Sequence, residues 1–576
     1  MEKKGYNILT TPYEEKMSAE LPWGDYPRPS LVRESYISLN GKWDFAVSGE
    51  EYPEVYGEKI LVPFPPESRL SGVFREIPEG SVLYYRRTFT LPEGEWGDRL
   101  LLHFGAVDQI CEVRVNGRVA AEHEGGYLPF SADITELVTK GENTLEVRAV
   151  DDLSYDYPYG KQRRRRGGMW YTPVSGIWQS VWLEFVPDPY IERLIITSDT
   201  ECAHIEVVGG GERKKLTLSD GTVYEWQGAC IDIRPESPRL WSPEEPYLYE
   251  FTLESGEDRV SSYFALREIS IREVLGVPRL LLNGKPYLFN GLLDQGYYPD
   301  GIFLPATAEG YYDDIMLTKS LGFNTLRKHI KIEPDIFYYL CDKLGVCVFQ
   351  DMVNNSGYSF LLDTALPTVG LKSMPDGMRH RSKRSRSIFQ KHSLAIVDYL
   401  RSHPSVLYYT VFNEGWGQFN ADENYRLIKA QDPTRIIDAT SGWFVRRESD
   451  VDSRHVYFKP VKVKKPSDRP IVISEFGGYS LRCEGHLFGD DNYGYKLYES
   501  EEQFENDLIK LYSEEIKPLI KMGVSGLIYT QVSDIEDETN GVITYDRRHI
   551  KLHAERVREV MESLYREIDF CSEEDS

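Results

Sequence analysis

Cysteine is scarce in this chain of 576 residues. There are seven, standing singly at Cys111, Cys202, Cys230, Cys341, Cys347, Cys483 and Cys571. An odd, scattered set with no CxxC pair excludes a disulfide scaffold, a zinc ribbon and a thioredoxin-like centre. Long apolar runs are missing too. No stretch approaches the ~18 residues of a membrane span. The opening MEKKGYNILTTPYEEK has neither the apolar core nor the cleavage pattern of a signal peptide. A cytoplasmic protein is therefore expected. No Gly-x-Gly-x-x-Gly and no Gly-x-x-x-x-Gly-Lys motif is present, so no nucleotide cofactor is expected. Positive charge is in the minority, 67 Lys and Arg against 92 Asp and Glu. A net charge of −25 repels phosphate backbones and anionic lipid, so nucleic acid and membrane are not expected partners.

Aromatic residues are plentiful, with 39 Tyr and 10 Trp. Flat faces of this kind suit sugar rings as well as β-rich cores. Residues 1–185 read as short strands broken by turns, such as Leu39–Phe45, Ser81–Phe89 and Asn143–Val150. Asn116-Gly117 makes a hairpin turn, and helices are absent, which predicts a β-sandwich. Residues 186–274 read as a smaller sandwich of immunoglobulin-like size, with strands at Ile191–Thr197, Ala203–Val208, Leu216–Ser219 and Tyr247–Leu253.

The pattern changes across residues 275–576. Strands are predicted at Tyr287–Leu293, Asn324–Arg327, Val346–Gln350, Leu407–Phe412, Ile436–Ala439, His455–Phe458, Ile471–Glu475 and Leu527–Gln531. Helical spacing appears at Asp313–Leu321, Ile336–Leu344, Ile388–Ser402 and Glu502–Met522. Eight strands alternating with helices predict a (β/α)8 barrel. Reactive groups of such a barrel stand at the C-terminal strand ends. There the chain places Asp294, Gln295, Arg327, His329, Asp351, Asn413, Glu414, His455, Tyr457, Glu475 and Gln531. Either glutamate alone could cap its strand or pair with an arginine. Two of them, ending apolar strands four and seven, point to glycoside hydrolysis, which uses a carboxylate pair across a cleft. Spacing in sequence leaves open whether anomeric configuration is retained or inverted. The stretch from Glu414 to Glu475 is short for three strand-to-strand steps, so at least one barrel helix there is expected to shrink to a loop.

The segments Val411-Phe412-Asn413-Glu414-Gly415-Trp416-Gly417-Gln418 and Val472-Ile473-Ser474-Glu475-Phe476-Gly477-Gly478 resemble the acid/base and nucleophile motifs of glycoside hydrolase family two. This is the family of β-galactosidases, β-glucuronidases and β-mannosidases. Leu39–Phe45, Tyr85–Phe89, Phe104–Asp108, Val113–Gly117 and Gly176–Glu184 resemble its N-terminal sugar-binding jelly roll. Leu240–Glu244 resembles its middle immunoglobulin-like domain, and Leu282–Pro286 the approach to its barrel. The resemblance implies a retaining double displacement, with Glu475 as nucleophile and Glu414 as acid/base. It further implies that Asn413 binds the sugar 2-hydroxyl, that Tyr457 supports the nucleophile, and that Arg327, His329, His455 and Gln531 line the sugar pocket. Trp416 and Trp443 are sugar platforms or lid packing. Asp294 binds a sugar hydroxyl or forms a turn.

The chain also departs from the family. Glucuronidases carry an Asn-x-Lys pair near strand eight, but Asn540 is followed two places on by Val542. The Glu-x-His motif that ligates magnesium in large β-galactosidases is absent after strand three, so no metal is expected. Asp294-Gln295 replaces the pattern common after strand one. Two basic stretches stand out, Arg163–Arg166 within Gly160–Gly168, and Arg379 to Arg386. They read as solvated loops, or as a loop overhanging the mouth to bind an anionic or hydroxyl-rich aglycone. The expectation is a retaining exo-β-glycosidase of β-galactosidase type with a carbohydrate as partner; a homo-oligomer is compatible with this. Galactofuranosidase, arabinopyranosidase and β-glucuronidase specificities stay open, as do a transglycosylase and a non-catalytic carbohydrate-binding protein on the same scaffold.

Overall fold

A computed structural model describes residues 6–573, apart from 50, 94–96, 369–375, 445, 458 and 466. The side chain of Cys571 also lies outside the described residues.

The first sandwich packs a six-stranded antiparallel sheet against a four-stranded one. The larger runs Glu58–Val62, Gly41–Ser48, Val82–Thr90, Glu142–Val150, Ile110–Val115, Arg118–Glu124. Alternation decides what is inside: Val113, Val115, Leu145, Val147 and Ala149 point into the shared core, while the polar residues between them face outward. The second sandwich pairs a three-stranded sheet, starting at Ile191–Ser198, with a four-stranded one ending at Asp258–Phe264.

The eight barrel strands are β1 Phe289–Asp294, β2 Thr325–Lys328, β3 Cys347–Asp351, β4 Val406–Phe412, β5 Ile436–Thr440, β6 Asp452–Val456, β7 Ile471–Gly477 and β8 Val524–Thr530. All pair in parallel, in the order β5-β4-β3-β2-β1-β8-β7-β6. Among the described residues β5 and β6 do not pair, so the wall has a seam. Every expected strand is found within a few residues. The sixth starts earlier than expected and ends at Val456; Phe458, expected within it, lies outside the described residues. Phe289, Leu293, Phe349, Leu407, Val472 and Ile528 fill the barrel interior, and Leu280, Leu282 and Trp241 pack against them.

The helices are α1 Glu309–Ser320, α2 Asp335–Leu344, α3 Lys383–Leu400, α4 Ala421–Gln431, α5 Glu501–Lys510 and α6 Ala554–Glu573. Gly345 takes a left-handed φ of 74° and closes α2, as its place in the sequence predicts. The expected helix Glu502–Met522 changes pitch instead. It widens at Leu511–Ile516 and tightens at Lys517–Met522, where Pro518 has no N–H to offer. Among the described residues no helix follows β5 or β6, so in both crossovers the described chain runs as loop.

Buried charge ties the layers together. Arg33 bridges Glu184 of the first sandwich (3.0 Å) and Asp258 of the second (2.8 Å). Burial opposes ionisation of Glu184, but Arg28, His103 and Arg33 hold its carboxyl well below the usual range. His403, after α3, lies 2.7 Å from Asp342 and 3.1 Å from Asp335 of α2. Tyr263 of the second sandwich donates to Asp342 (2.7 Å), and the Ser30 amide donates to Asp335 (2.9 Å). No described helix is long and apolar enough to cross a membrane.

Candidate active site

Strand β4 is buried from end to end, so the chain must turn sharply to bring a charged residue to the surface of the mouth. Asn413-Glu414-Gly415 makes that turn, with Glu414 itself in the left-handed region at φ 51°. Gly415 follows at φ 65°, where an added Cβ would sit 2.3 Å from Phe444. Glu475 lies on β7, where the pairing with β8 shifts register between Ile473 and Phe476. The pairing of β6 with β7 shifts between Arg454 and His455. Irregularities of this kind re-aim side chains next to active sites, and both His455 and Glu475 benefit.

Oxygens of Glu414 and Glu475 and a nitrogen of His455 all lie within 4.8 Å of one another. His455 Nδ1 is 2.9 Å from Glu414 and 3.4 Å from Glu475. Tyr457 donates to Glu475 at 2.7 Å. Arg327 reaches across the barrel from β2. It donates to Asp351 (2.9 Å), Glu475 (3.2 Å), the Ser474 carbonyl (2.8 Å), Asn413 (2.7 Å) and Ser441 (3.2 Å). His329 Nδ1 contacts Asp351 at 2.8 Å. The structure therefore brings together Glu414, Glu475, Asn413, Arg327, His329, His455 and Tyr457. Trp443 joins them, its ring edge-on to His455 at 5.7 Å.

Burial sets the protonation states. It raises the Glu414 carboxyl, an effect that Lys161, His329, Arg327 and a hydrogen bond from Trp443 only partly offset. Burial drives His455 down to about 3 despite Glu475, so the imidazole is neutral at ordinary pH. His329 is lowered for the same reason. Asp351 resists burial because Arg327 and His329 hold it below the usual range. Glu538, on the segment after β8, is pushed up to about 7 by burial.

Other expected residues have different company. Both oxygens of Asp294 are engaged, by Lys328 at 2.6 Å and the Gly296 amide at 2.8 Å. Gln531 is buried and donates to Glu538 (2.8 Å) and Asn540 (2.7 Å), while Gln295 donates to it (3.0 Å). Trp416 is buried: its indole donates to the Ser356 carbonyl, and its ring meets Tyr159, Trp170 and Tyr358 edge-on.

Sequence reasoning missed Lys161, Ser441, Tyr495 and Glu538. Tyr495 stacks on Tyr457 at 3.9 Å. Lys161 adjoins the arginine run that did draw attention. Those arginines serve the fold: Arg163 covers Trp170, Arg164 donates to the Ile77 and Asp151 carbonyls, and Arg166 covers Tyr6. Arg379, Arg381 and Arg386 likewise donate to backbone carbonyls, and Arg384 to Tyr157. A second grouping of ligand-type atoms, Cys483, Glu501 and His549, also lies within 4.8 Å. Burial pushes the Cys483 thiol up to about 11, and His549 contacts Glu501 at 2.6 Å.

The chain is 23% identical over 508 residues to a β-galactosidase of Priestia megaterium, covering 80% of this chain and 46% of that protein. A β-glucuronidase of Felis catus is 26% identical over 477 residues, covering 72% of this chain and 69% of that one. The chain thus spans under half the length of the β-galactosidases it matches, 46% and 43%. Among solved structures, a β-D-glucuronidase of Dictyoglomus thermophilum superposes with a TM-score of 0.73 at 19% identity, covering 93% of this chain and 98% of that chain. A β-galacturonidase of Eisenbergiella tayi bound to galacturonate gives a TM-score of 0.67 at 20% identity, covering 93% and 99%. These two show a shared fold. The family model for the sugar-binding domain of glycosyl hydrolases family 2 matches residues 69–187. A second model of that family matches 197–267, and its TIM barrel model matches 275–564. The chain, from its sandwiches to the barrel that carries Glu414 and Glu475, belongs to glycosyl hydrolases family 2.

Proposed function

We propose that this protein is a retaining exo-β-glycosidase, with a β-galactoside-type terminal sugar as the first substrate class. The observation that carries the reading is the spacing of Glu414 and Glu475, with one oxygen of each within 4.8 Å. Retaining enzymes hold the pair ~5–5.5 Å apart, and inverting ones leave ~6.5–9.5 Å for a water. In the first step Glu475 attacks the anomeric carbon, and the bond to the leaving oxygen breaks as that oxygen takes the proton of Glu414. In the second, Glu414 takes a proton from water, the water attacks the same carbon, and Glu475 is released. Arg327 and Tyr457 orient the Glu475 carboxylate. The carbonyl oxygen of Asn413 is held by Arg327 and Ser441 (3.0 Å), which turns its NH2 group towards a sugar hydroxyl. Loss of the negative charge on Glu475 in the glycosyl-enzyme lowers the Glu414 carboxyl and converts it from acid to base. On this reading residues 275–576 carry the chemistry, and 1–185 and 186–274 frame the mouth.

The test is a panel of p-nitrophenyl β-galactopyranoside, β-glucuronide, β-mannoside, β-galactofuranoside and α-arabinopyranoside, with wild type beside Glu475→Gln. Turnover of one glycone, silent in the variant, is expected. A variant as active as wild type would remove Glu475 from the mechanism. Binding of sugars with no turnover of any member would favour a binding protein on the same scaffold.

A further inference from the structure

The first sandwich sends one lysine into the barrel mouth. The chain on both sides of Lys161 is fixed. Gly160, at φ 69°, is pressed so closely against the barrel that an added Cβ would stand 2.9 Å from the Ile330 carbonyl oxygen and 2.8 Å from Tyr127 Oη. Ile330 directly follows His329. The Lys161 carbonyl accepts from the Tyr171 amide at 3.0 Å. Gln162 is buried, donates to Asp108 and Tyr127 (3.2 Å each), and accepts from the Val174 amide at 2.7 Å. The ammonium lies 5.8 Å from the centre of the Trp170 ring, which meets Trp416 edge-on two residues beyond Glu414. The backbone beside it abuts the chain just after β2, and its neighbour Trp170 abuts Trp416 just after β4, so Lys161 stands at that rim of the mouth, where its charge opposes the raising of the Glu414 and Glu538 carboxyls.

Among the described residues this ammonium has neither a hydrogen bond nor an ion-pair partner. The other cations nearby are committed. Arg327 is taken by Asp351, Glu475 and Asn413. Lys328 pairs with Asp294 and Glu333, and Lys331 pairs with Glu333. Two places beyond Asn540, Val542 is fully buried and offers no cation. A lysine at the mouth with no ion-pair partner among the described residues, in a chain of net charge −25, is arranged to receive an anion from the substrate.

We propose that Lys161 is a specificity-determining residue of the barrel site and binds a carboxylate on the terminal sugar, so that the preferred glycone is a β-linked uronic acid. This rests on the glycosidase reading and moves its glycone from a neutral β-galactoside to a sugar oxidised at the exocyclic carbon. The experiment compares wild type, Lys161→Met and Lys161→Arg on p-nitrophenyl β-galacturonide, β-glucuronide and β-galactoside. Wild type is expected to prefer a uronide. Lys161→Met should lower the ratio of kcat/KM for that uronide to kcat/KM for the neutral galactoside about 100-fold, mainly through the KM of the uronide. Lys161→Arg should keep most of the preference, and melting temperatures should stay level. Preference of wild type for a neutral glycone, or a uronide preference that survives Lys161→Met, overturns the proposal. Calorimetric titration of Glu475→Gln and of the Glu475→Gln, Lys161→Met double variant with galacturonate, glucuronate and galactose reads Lys161 without turnover. Uronate binding lost in the double variant supports the proposal even if no glycoside is cleaved. Equal uronate binding in both variants, or no uronate binding by Glu475→Gln itself, overturns it. Absence of turnover alone counts only against the glycosidase reading.

Discussion

In the proposed mechanism Glu414 needs its proton to expel the leaving group, and burial raises its carboxyl. The basic limb of kcat/KM against pH then reports that carboxyl in the free enzyme: activity falls as pH rises through its raised pKa. Lys161 opposes the raising, so its replacement by methionine should move this limb to higher pH. A limb that stays in place would show that the ammonium does not act on the acid. Glu414→Gln should cost ~10²–10⁴-fold on glycosides with poor leaving groups, and less on p-nitrophenyl ones, which leave without help. Rates across a leaving-group series check this. Both glutamates were legible in the sequence because each ends an apolar strand, where a charge stands out. Lys161, Ser441 and Tyr495 were not, because each arrives from a distant segment with no local pattern to mark it. Asp294 was noticed for its place at the end of the first barrel strand, yet its partner Lys328 could only be seen once β1 and β2 were paired side by side.

At the scale of the element, the turn after β4 has to hold a left-handed glutamate and a left-handed glycine in succession. Gly415→Ala forces a methyl group into Phe444, which must shift or push the turn outward. The expected result is a drop in kcat of about 100-fold, since a displacement near 1 Å costs that much in a positioned reaction. Near-UV circular dichroism should remain close to wild type. A variant with full kcat would mean that the turn does not position the acid. Barrel strands were legible because buried parallel strands read as unbroken apolar runs bounded by turns. Helix α4 was not. It buries only Ala421, Asn424 and Ile428, so its apolar stripe is too thin to show a helical period. The pitch changes after α5 were invisible for the opposite reason, since apolar spacing continues through them.

At the scale of the whole molecule, His403 gathers α2, the second sandwich and the N-terminal segment through Asp335 and Asp342. Burial alone would lower its imidazole, yet Asp342 and Asp335 raise it to about 10. Its free value is near ~6.5, so the stabilisation is complete below that pH and is lost as pH climbs towards about 10. His403→Gln should therefore cost about 3–5 kcal/mol at pH 6, read as a lowered Tm, and progressively less by pH 10. A deficit that does not change with pH would mean the imidazole is neutral in the fold. The seam in the barrel has a consequence for the chemistry. Going directly from Glu414 to Glu475 around the wall, the path runs through β5 and β6, which share no backbone ladder among the described residues. What spans that opening is a brace of side chains: Arg327 grips Asn413 and Ser441 on one lip and Ser474 and Glu475 on the other, and His455 reaches from β6 to Glu414. In the proposed mechanism the gauge between the carboxylates, and with it the anomer released, thus depends on this brace as well as on the turn after β4. On that reading, trimming the brace would widen the gauge towards the spacing of inverting enzymes with every strand left where it stands.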